Sequence, residues 1–574
     1  MKSNSILRYF DKRLMFVSAL AIVLAGVIPA ILLPVRSGMI DFALARDGGF
    51  WPCLAAFVAL ALLQAALANA QERLSKVQHI RSSRSMDSAR LKHCSKLPFA
   101  FTETEEFFKL NSAAAEASGV LEELYGAMAG ILQCAVQLIT TIAAIGFVSV
   151  YVAMGVVVII GIGFVLSGVQ ARRTADLWVN YRQNMRRSDY LSGILLKPEF
   201  STERKIFSYG GEIGSRFDGE YKSALSENSR MGRQRLTLES ISQIANAGFI
   251  VAALALLTVP LWNGSISLGV FLSTFYAATA LLSCSSQLIS SIYGCMSSRK
   301  KLLPYDELMA QPECAPAKAD NPEEFQSLEF RHVSFKYPQA SSPVLKDVSF
   351  KLERGRHYAL VGENGSGKTT ILKCLVGLYA PVQGEILLNG RPIADFSRKA
   401  LMRMLTAVFQ DYYRYPLTLR ENVTLCAGRM PSDGDIYSAM NALSMEHTLE
   451  HLPDGLDSEL LLMKDRSVEL SGGEWQKLSV LRCILSDSGF AVLDEPNSAL
   501  DPVVEASIYE AYRRMLGRKT TLFISHRLGS VKVADEILVL KDGRILAQGS
   551  HDELMQSSSY YAALFETQKG FYEP

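Results

Sequence analysis

Two folds in one chain are predicted: an all-α membrane domain of six long transmembrane helices, then a soluble α/β domain built around a phosphate-binding loop. Three observations predict this. In a chain of 574 residues, too long for one core, the 49% of hydrophobic residues gather into long runs before about residue 300. From Ser327 onward short strands and helices alternate instead. Within that second half, Gly362, Glu363, Asn364, Gly365, Ser366, Gly367, Lys368, Thr369 and Thr370 fit the pattern G-x-x-x-x-G-K-[ST] at every specified position.

The loop implies a bound nucleoside triphosphate. Its three glycines let backbone N–H groups turn inward as an anion nest, Lys368 reaches the terminal phosphates, and Thr369 supplies a hydroxyl for Mg²⁺. His357 to Val361 reads as a buried strand before the loop and Thr370 to Leu375 as a helix after it, which aims a positive helix end at the phosphates. Net charge is only +2, so no global basic field suggests nucleic acid. The nine cysteines, an odd number with no C-x-x-C pair, imply neither a disulfide framework nor a zinc site.

In chain order, basic Lys2, Arg8, Lys12 and Arg13 precede an uncharged run from Leu14 to Val35, about 33 Å long as a helix. This is an uncleaved first span, with bends expected at Pro29 or Pro34. The six spans fall at about 14–35, 51–70, 125–148, 152–170, 240–261 and 266–290. Basic residues concentrate between spans two and three (Arg73 to Lys109) and between four and five (Arg172 to Arg187), whereas 149–151 and 262–265 carry no charge. The positive-inside bias puts both termini and both long connections in the cytoplasm.

Those connections read as spans continued into the cytoplasm, with tips at Glu105 to Leu110 and within Phe207 to Phe217. Phe107 and Phe108 either meet another domain or pack within the bundle. Gln133 with Gln137, and Ser283 with Ser286, Gln287 and Ser290, each share a helix face; they either line a cavity or bond helices together. The membrane domain is assigned to 1–310, a Pro- and Ala-rich linker to 311–326, and the soluble domain to 327–574.

In the second half, Phe490 to Leu493 is an apolar strand delivering Asp494 and Glu495 to the sheet edge where ligands bind in open α/β folds. Asp494 is placed to hold Mg²⁺ through water and Glu495 to polarise an attacking water. Another strand, Thr520 to Ser525, brings His526 to the same edge, as a structural residue or a γ-phosphate sensor. Ser471 and Glu474 form a capping box enclosing Gly472 and Gly473, so backbone N–H groups are exposed at a second positive helix end.

Leu470 to Gln476 resembles the signature sequence of ATP-binding cassette (ABC) transporters, and its neighbours fall in the family's order. Tyr337 resembles the aromatic residue stacked on adenine, Gln410 the glutamine that contacts Mg²⁺ and senses the membrane domain, and Ser498 to Asp501 the D-loop. Glu495 resembles the catalytic glutamate and His526 the switch histidine. The likeness covers nearly the whole chain and implies an exporter-type half-transporter whose ATPase domain carries a helical signature subdomain. By the resemblance, Ser471, Gly472 and Gly473 of one subunit serve the phosphate loop of the other. The segments Gln410 to Pro416, Thr418 to Asn422 and Gly473 to Lys477 look most like bacterial exporters of lantibiotic-type peptides and their multidrug relatives.

The implied protein is a multi-pass protein of the bacterial inner membrane, its ATPase domain in the cytoplasm. It binds ATP and Mg²⁺, sits in the lipid bilayer, and pairs with a second half-transporter, a second copy being the first expectation. It would export an amphipathic peptide or small molecule by alternating access; an importer of a metal chelator, a lipid-linked flippase and a membrane-anchored regulatory ATPase are the competing readings. Met463 to Glu469 departs from the glycine-containing acidic segment many exporters carry there, which bears on how the domains communicate. No N-terminal region able to hold a peptidase is expected, so leader cleavage within this chain is not.

Overall fold

The apolar runs emerge as helices in a computed structural model of the chain, which describes residues 6–569 apart from 149, 152, 155–156, 159–160, 162–184, 186, 198–199, 315–323, 339, 426–429, 462–466, 496–516, 518 and 526–533. Two compact units form: Met1–Lys96 with Glu105–Gln311, and Leu97–Thr104 with Pro312–Pro574.

The first unit is all helix. Helix α1 (Lys12–Ala45) runs uninterrupted past Pro29 and Pro34, and α2 spans Phe50–Cys94. At about 1.5 Å per residue, α2 is roughly 68 Å long, so the second apolar run does continue as one helix far past membrane thickness. Helix α3 is the short turn Phe99–Thr102, α4 is Glu105–Ala115 and α5 is Ala117–Gly146. Then come α6 (Ser201–Phe207), α7 (Gly210–Trp262), α8 (Leu268–Lys301) and α9 (Leu303–Met309). Four stretches, Lys12–Ala45, Phe50–Cys94, Ala117–Gly146 and Leu268–Met309, are long and apolar enough to cross a membrane, and Ile250–Trp262 is a shorter apolar helix. The span expected at 152–170 lies mostly outside the described residues, so the described helices support four of the six expected spans in full.

Close approach knits this unit together. A Cβ on Gly26 would fall 2.9 Å from Val136 Cγ1, and Thr140 Oγ1 on α5 donates to the Gly26 carbonyl at 3.2 Å. Asp41, at the end of α1, accepts hydrogen bonds from Ser267 Oγ and from the backbone N–H of Gly269 at 2.9 Å, so it caps α8. A Cβ on Gly269 would sit 2.3 Å from the Ser37 carbonyl, which restricts that site to glycine.

The expected first tip is corrected by one short segment. Glu105 to Leu110 is not the tip: it opens α4, where Glu105 and Glu106 occupy the first turn and favour a helix start. The segment that joins the second unit is Leu97–Thr104 instead. Pro98, extended at ψ 134°, ends the run of α2, after which Phe99 and Ala100 pack against the buried cluster of the second unit. Phe108 stays 63% exposed, and Phe207, at the start of the second expected tip, is exposed as well, with Ile206 before it.

The second unit is α/β. A four-stranded antiparallel sheet has the order β2-β1-β4-β5, with β1 Ser327–Phe335, β2 Leu345–Glu353, β4 Gln383–Leu388 and β5 Arg391–Pro392. A six-stranded sheet has the order β10-β9-β3-β8-β7-β6, from β3 His357–Val361, β6 Leu405–Val408, β7 Phe490–Asp494, β8 Thr520–Ile524, β9 Glu536–Lys541 and β10 Arg544–Gly549. All its pairings are parallel except that of β10 with β9. Strands β3, β7 and β8 are buried at every residue, as parallel strands covered on both faces must be. Helix α10 (Lys368–Leu375) follows β3, and α11 (Gly472–Ile484) opens at the signature. A separate core, centred on fully buried Trp475 with Leu478, Leu481, Ile436 and Met440, holds the helical subdomain.

Candidate active site

Parallel strands β3 and β7 end side by side with β8 between them, and so deliver the phosphate loop and the two carboxylates to one sheet edge. Gly362 approaches Leu540 so closely that a Cβ would lie 2.3 Å from its carbonyl oxygen, and Gly367, at φ 110°, turns the chain into α10. Lys368 curls back over the loop, its Nζ donating to the carbonyls of Gly362 at 2.8 Å and Glu363 at 3.0 Å. Burial lowers the Lys368 ammonium from its ordinary range, against the pull of Glu495 and Asp494.

Asp494 is 2% exposed, and burial, then neighbouring Glu495, pushes its carboxyl up to about 6; a hydrogen bond with Thr369 and the charge of Lys368 work the other way. Asp494 Oδ2 and Ser366 Oγ are both buried without a hydrogen-bond partner. Two orphaned acceptors beside a glycine-rich loop and a buried ammonium fit a magnesium–nucleotide, which would satisfy them. Glu495 holds a left-handed φ of 47°, unusual for a residue with a Cβ, and its N–H donates to the Ile524 carbonyl at 2.9 Å. Its Oε2 accepts from Gln410 Nε2 at 3.0 Å, and Gln476 Nε2 donates to its carbonyl at 3.3 Å.

The raised Asp494 value predicts a pH dependence. The acid form binds no metal, so affinity for Mn²⁺·ATP should fall about tenfold per pH unit below 6 in excess of the fall in Asp494→Asn, measured by direct binding from pH 5 to 8. Parallel profiles would contradict the assignment. For the fold alone the sign is opposite to that of a paired carboxylate: this contribution to stability is present below pH 4 and lost as pH rises through 6.

Tyr337 donates to or accepts from Thr370 Oγ1 at 3.1 Å, which sets its ring beside the loop helix. Around it stands a group with no counterpart in the sequence reading. Tyr379 packs edge-on to Tyr337 at 5.3 Å and to Phe99 at 5.5 Å, Lys373 Nζ lies within 6 Å of all three rings, and Glu103 bonds Lys373 at 3.0 Å and the Tyr379 hydroxyl. Glu103 and Tyr379 are 276 residues apart, so no local pattern announces the pair. Burial, then Glu103, raises the Tyr379 phenol.

At the signature, Ser471 and Glu474 make the expected capping box: Ser471 Oγ accepts from the Glu474 N–H at 3.3 Å, and Glu474 Oε2 accepts from the Ser471 N–H at 2.8 Å. A Cβ on Gly472 or Gly473 would meet nothing within 4 Å. Asp501 and His526 lie outside the described residues, as do Ser498 to Leu500 and Met463 to Arg466.

This geometry defines a phosphate-loop ATPase of the cassette type, in one polypeptide with membrane-crossing helices. Residues 345–498 match the family model described as ABC transporter. The subtilin transport ATP-binding protein SpaT of Bacillus subtilis is 29% identical over 388 residues, 67% of this chain and 63% of its own length. An ATP-dependent lipid A-core flippase of Alkalilimnicola ehrlichii is 31% identical over 64% of this chain and 62% of its length, and that of Burkholderia orbicola 39% over 42% and 40%. The matches thus take in less than two thirds of each relative. A solved structure described as a bacterial Atm1-family ABC exporter with ATP bound has the same fold, with a TM-score of 0.79 over 99% of both chains at 21% identity. Residues 345–498 thus belong to the ABC transporter family, and the same polypeptide carries helices long and apolar enough to cross a membrane.

Proposed function

We propose that this chain is half of an ATP-driven exporter of the bacterial inner membrane, working as a dimer, most simply with a second copy of itself. The observation that carries the reading is the Lys368, Asp494, Glu495 and Gln410 cluster, on one chain with four helices long and apolar enough to cross a membrane.

Lys368 and the loop amides would hold the phosphates of ATP, and Tyr337 the adenine. Thr369, Asp494 and Gln410 would hold Mg²⁺, which when bound neutralises charge on the β- and γ-phosphate oxygens. Glu495 orients water for in-line attack on the γ-phosphorus and draws off its proton, ADP being the leaving group; Asp501 and His526 take the family's D-loop and switch roles. The open space beside Gly472 and Gly473 supports a sandwich. Nothing among the described residues requires glycine there, but a phosphate brought by another subunit would. Exposed Ile206 and Phe207 supply a greasy tip of the kind that would grip the partner's ATPase.

An amphipathic peptide is the favoured cargo, in keeping with a relative named for subtilin transport. A lipid is the second reading, favoured by the relatives named as lipid A-core flippases. Full-length protein in nanodiscs should hydrolyse ATP faster with an added lantibiotic-type peptide; stimulation by lipid A instead selects the flippase. Stimulation by neither, with no uptake into inverted vesicles, would sink the export reading.

A further inference from the structure

A strap of six residues ties the hydrolytic carboxylate to the start of the signature helix. Gln410 begins it, bonded to Glu495 at 3.0 Å. Two residues on, the half-buried Tyr412 ring packs against the core of the helical subdomain, and its hydroxyl donates to the Gly472 carbonyl at 2.9 Å. The rest of the strap is pinned to the far end of the same helix. Arg482 of α11, 8% exposed, donates to the Tyr413 carbonyl at 3.2 Å and to Asn422 Oδ1 at 2.7 Å, and its guanidinium lies 5.0 Å from the Tyr415 ring centre. Asn422 Nδ2 in turn donates to the Tyr415 carbonyl at 3.1 Å. Arg414 pairs with Glu469, just before the signature, at 3.7 Å.

The strap is therefore fastened to both ends of α11, and Gln410, two residues past β6, ties its start to Glu495. We propose that Tyr412 is a positioning residue that sets the signature of one subunit according to the state of that subunit's own hydrolytic site. A shift of Gln410 moves Tyr412, and the tyrosine hydroxyl hands the shift to the Gly472 carbonyl. The inference rests on the reading that the signature serves the opposing subunit's ATP. On that reading, the hydroxyl-to-carbonyl bond joins the two ATP sites of the dimer at the signature itself, beside the contact of Gln476 with the Glu495 carbonyl, and each site feels the other through it.

The test compares wild type, Tyr412→Phe and Ser471→Ala as full-length protein in nanodiscs, by ATPase rate against ATP concentration and by binding of a fluorescent ATP analogue. Tyr412→Phe keeps the packed ring and deletes one neutral hydrogen bond. The expected result is a maximal rate about fivefold lower, a Hill coefficient falling from above 1 towards 1, and analogue affinity within about twofold of wild type. A wild-type Hill coefficient of 1, an unchanged variant, or a slower variant that keeps its cooperativity overturns the proposal, the last being what local packing alone would give. If Ser471→Ala hydrolyses ATP like wild type, the opposed-subunit reading fails instead.

Discussion

Glu495→Gln is expected to bind ATP with near wild-type affinity and to hydrolyse it about 10² to 10⁴ times more slowly. The side chain keeps its size, and an amide oxygen can still accept from Gln410 Nε2, which now bonds Glu495 at 3.0 Å. What is lost is the carboxylate that takes the proton from attacking water. The left-handed φ of 47° aims this side chain off the end of β7. Single-turnover phosphate release, run beside equilibrium binding, separates the two effects. Turnover within threefold of wild type would remove Glu495 from the hydrolytic role.

Lys368→Ala should lose affinity itself, by about 10- to 100-fold, the scale of about 1.5 to 3 kcal/mol for a charge-assisted hydrogen bond. Lys368 is 7% exposed and its ammonium is held over the loop by two carbonyls, so the charge is already placed where the phosphates would lie. Direct titration with a fluorescent ATP analogue measures the loss; unchanged affinity would contradict the phosphate-loop assignment. Combined with Ser471→Ala in mixed dimers, the same variant tests the sandwich. With both changes in one subunit, each composite site carries a lesion and hydrolysis collapses. Split between subunits, both lesions fall in one site and the other survives. The reverse ranking would mean that each signature serves its own chain.

Much of this was legible in the sequence because the instructions are local. The phosphate loop needs a strand, glycines at fixed offsets and a helix, all within His357 to Leu375, and Ser471 and Glu474 announce their capping box three residues apart. Strand burial was equally plain at Phe490 to Asp494, where an apolar run has no alternation. The misplaced tip shows the opposite case. Glu105 to Leu110 carries the more conspicuous aromatic pair, yet what fixes the docking segment is Pro98 ending α2 and Phe99 finding Tyr379, a partner 280 residues downstream. Tyr412 was likewise unremarkable in sequence, one tyrosine among three, until the fold put its hydroxyl against Gly472. Contacts of that range obey no spacing rule, only the topology of the finished sheet.

The segment Leu97–Thr104 also bears on how the protein can be taken apart. The chain passes between its two units at residues 96, 104 and 311, not once. A soluble fragment cut at the linker is thus missing a piece of itself: the bed of Phe99 and Ala100 is left bare, and Lys373 and Tyr379 lose the carboxylate of Glu103. Such a fragment carries an apolar wound beside Tyr337, the residue proposed to hold adenine, and measurements of nucleotide affinity made on it would describe an altered surround for that ring. Adding Leu97–Thr104 back as a free peptide, or splicing it to the fragment's start, is the expected way to cover that bed without the membrane.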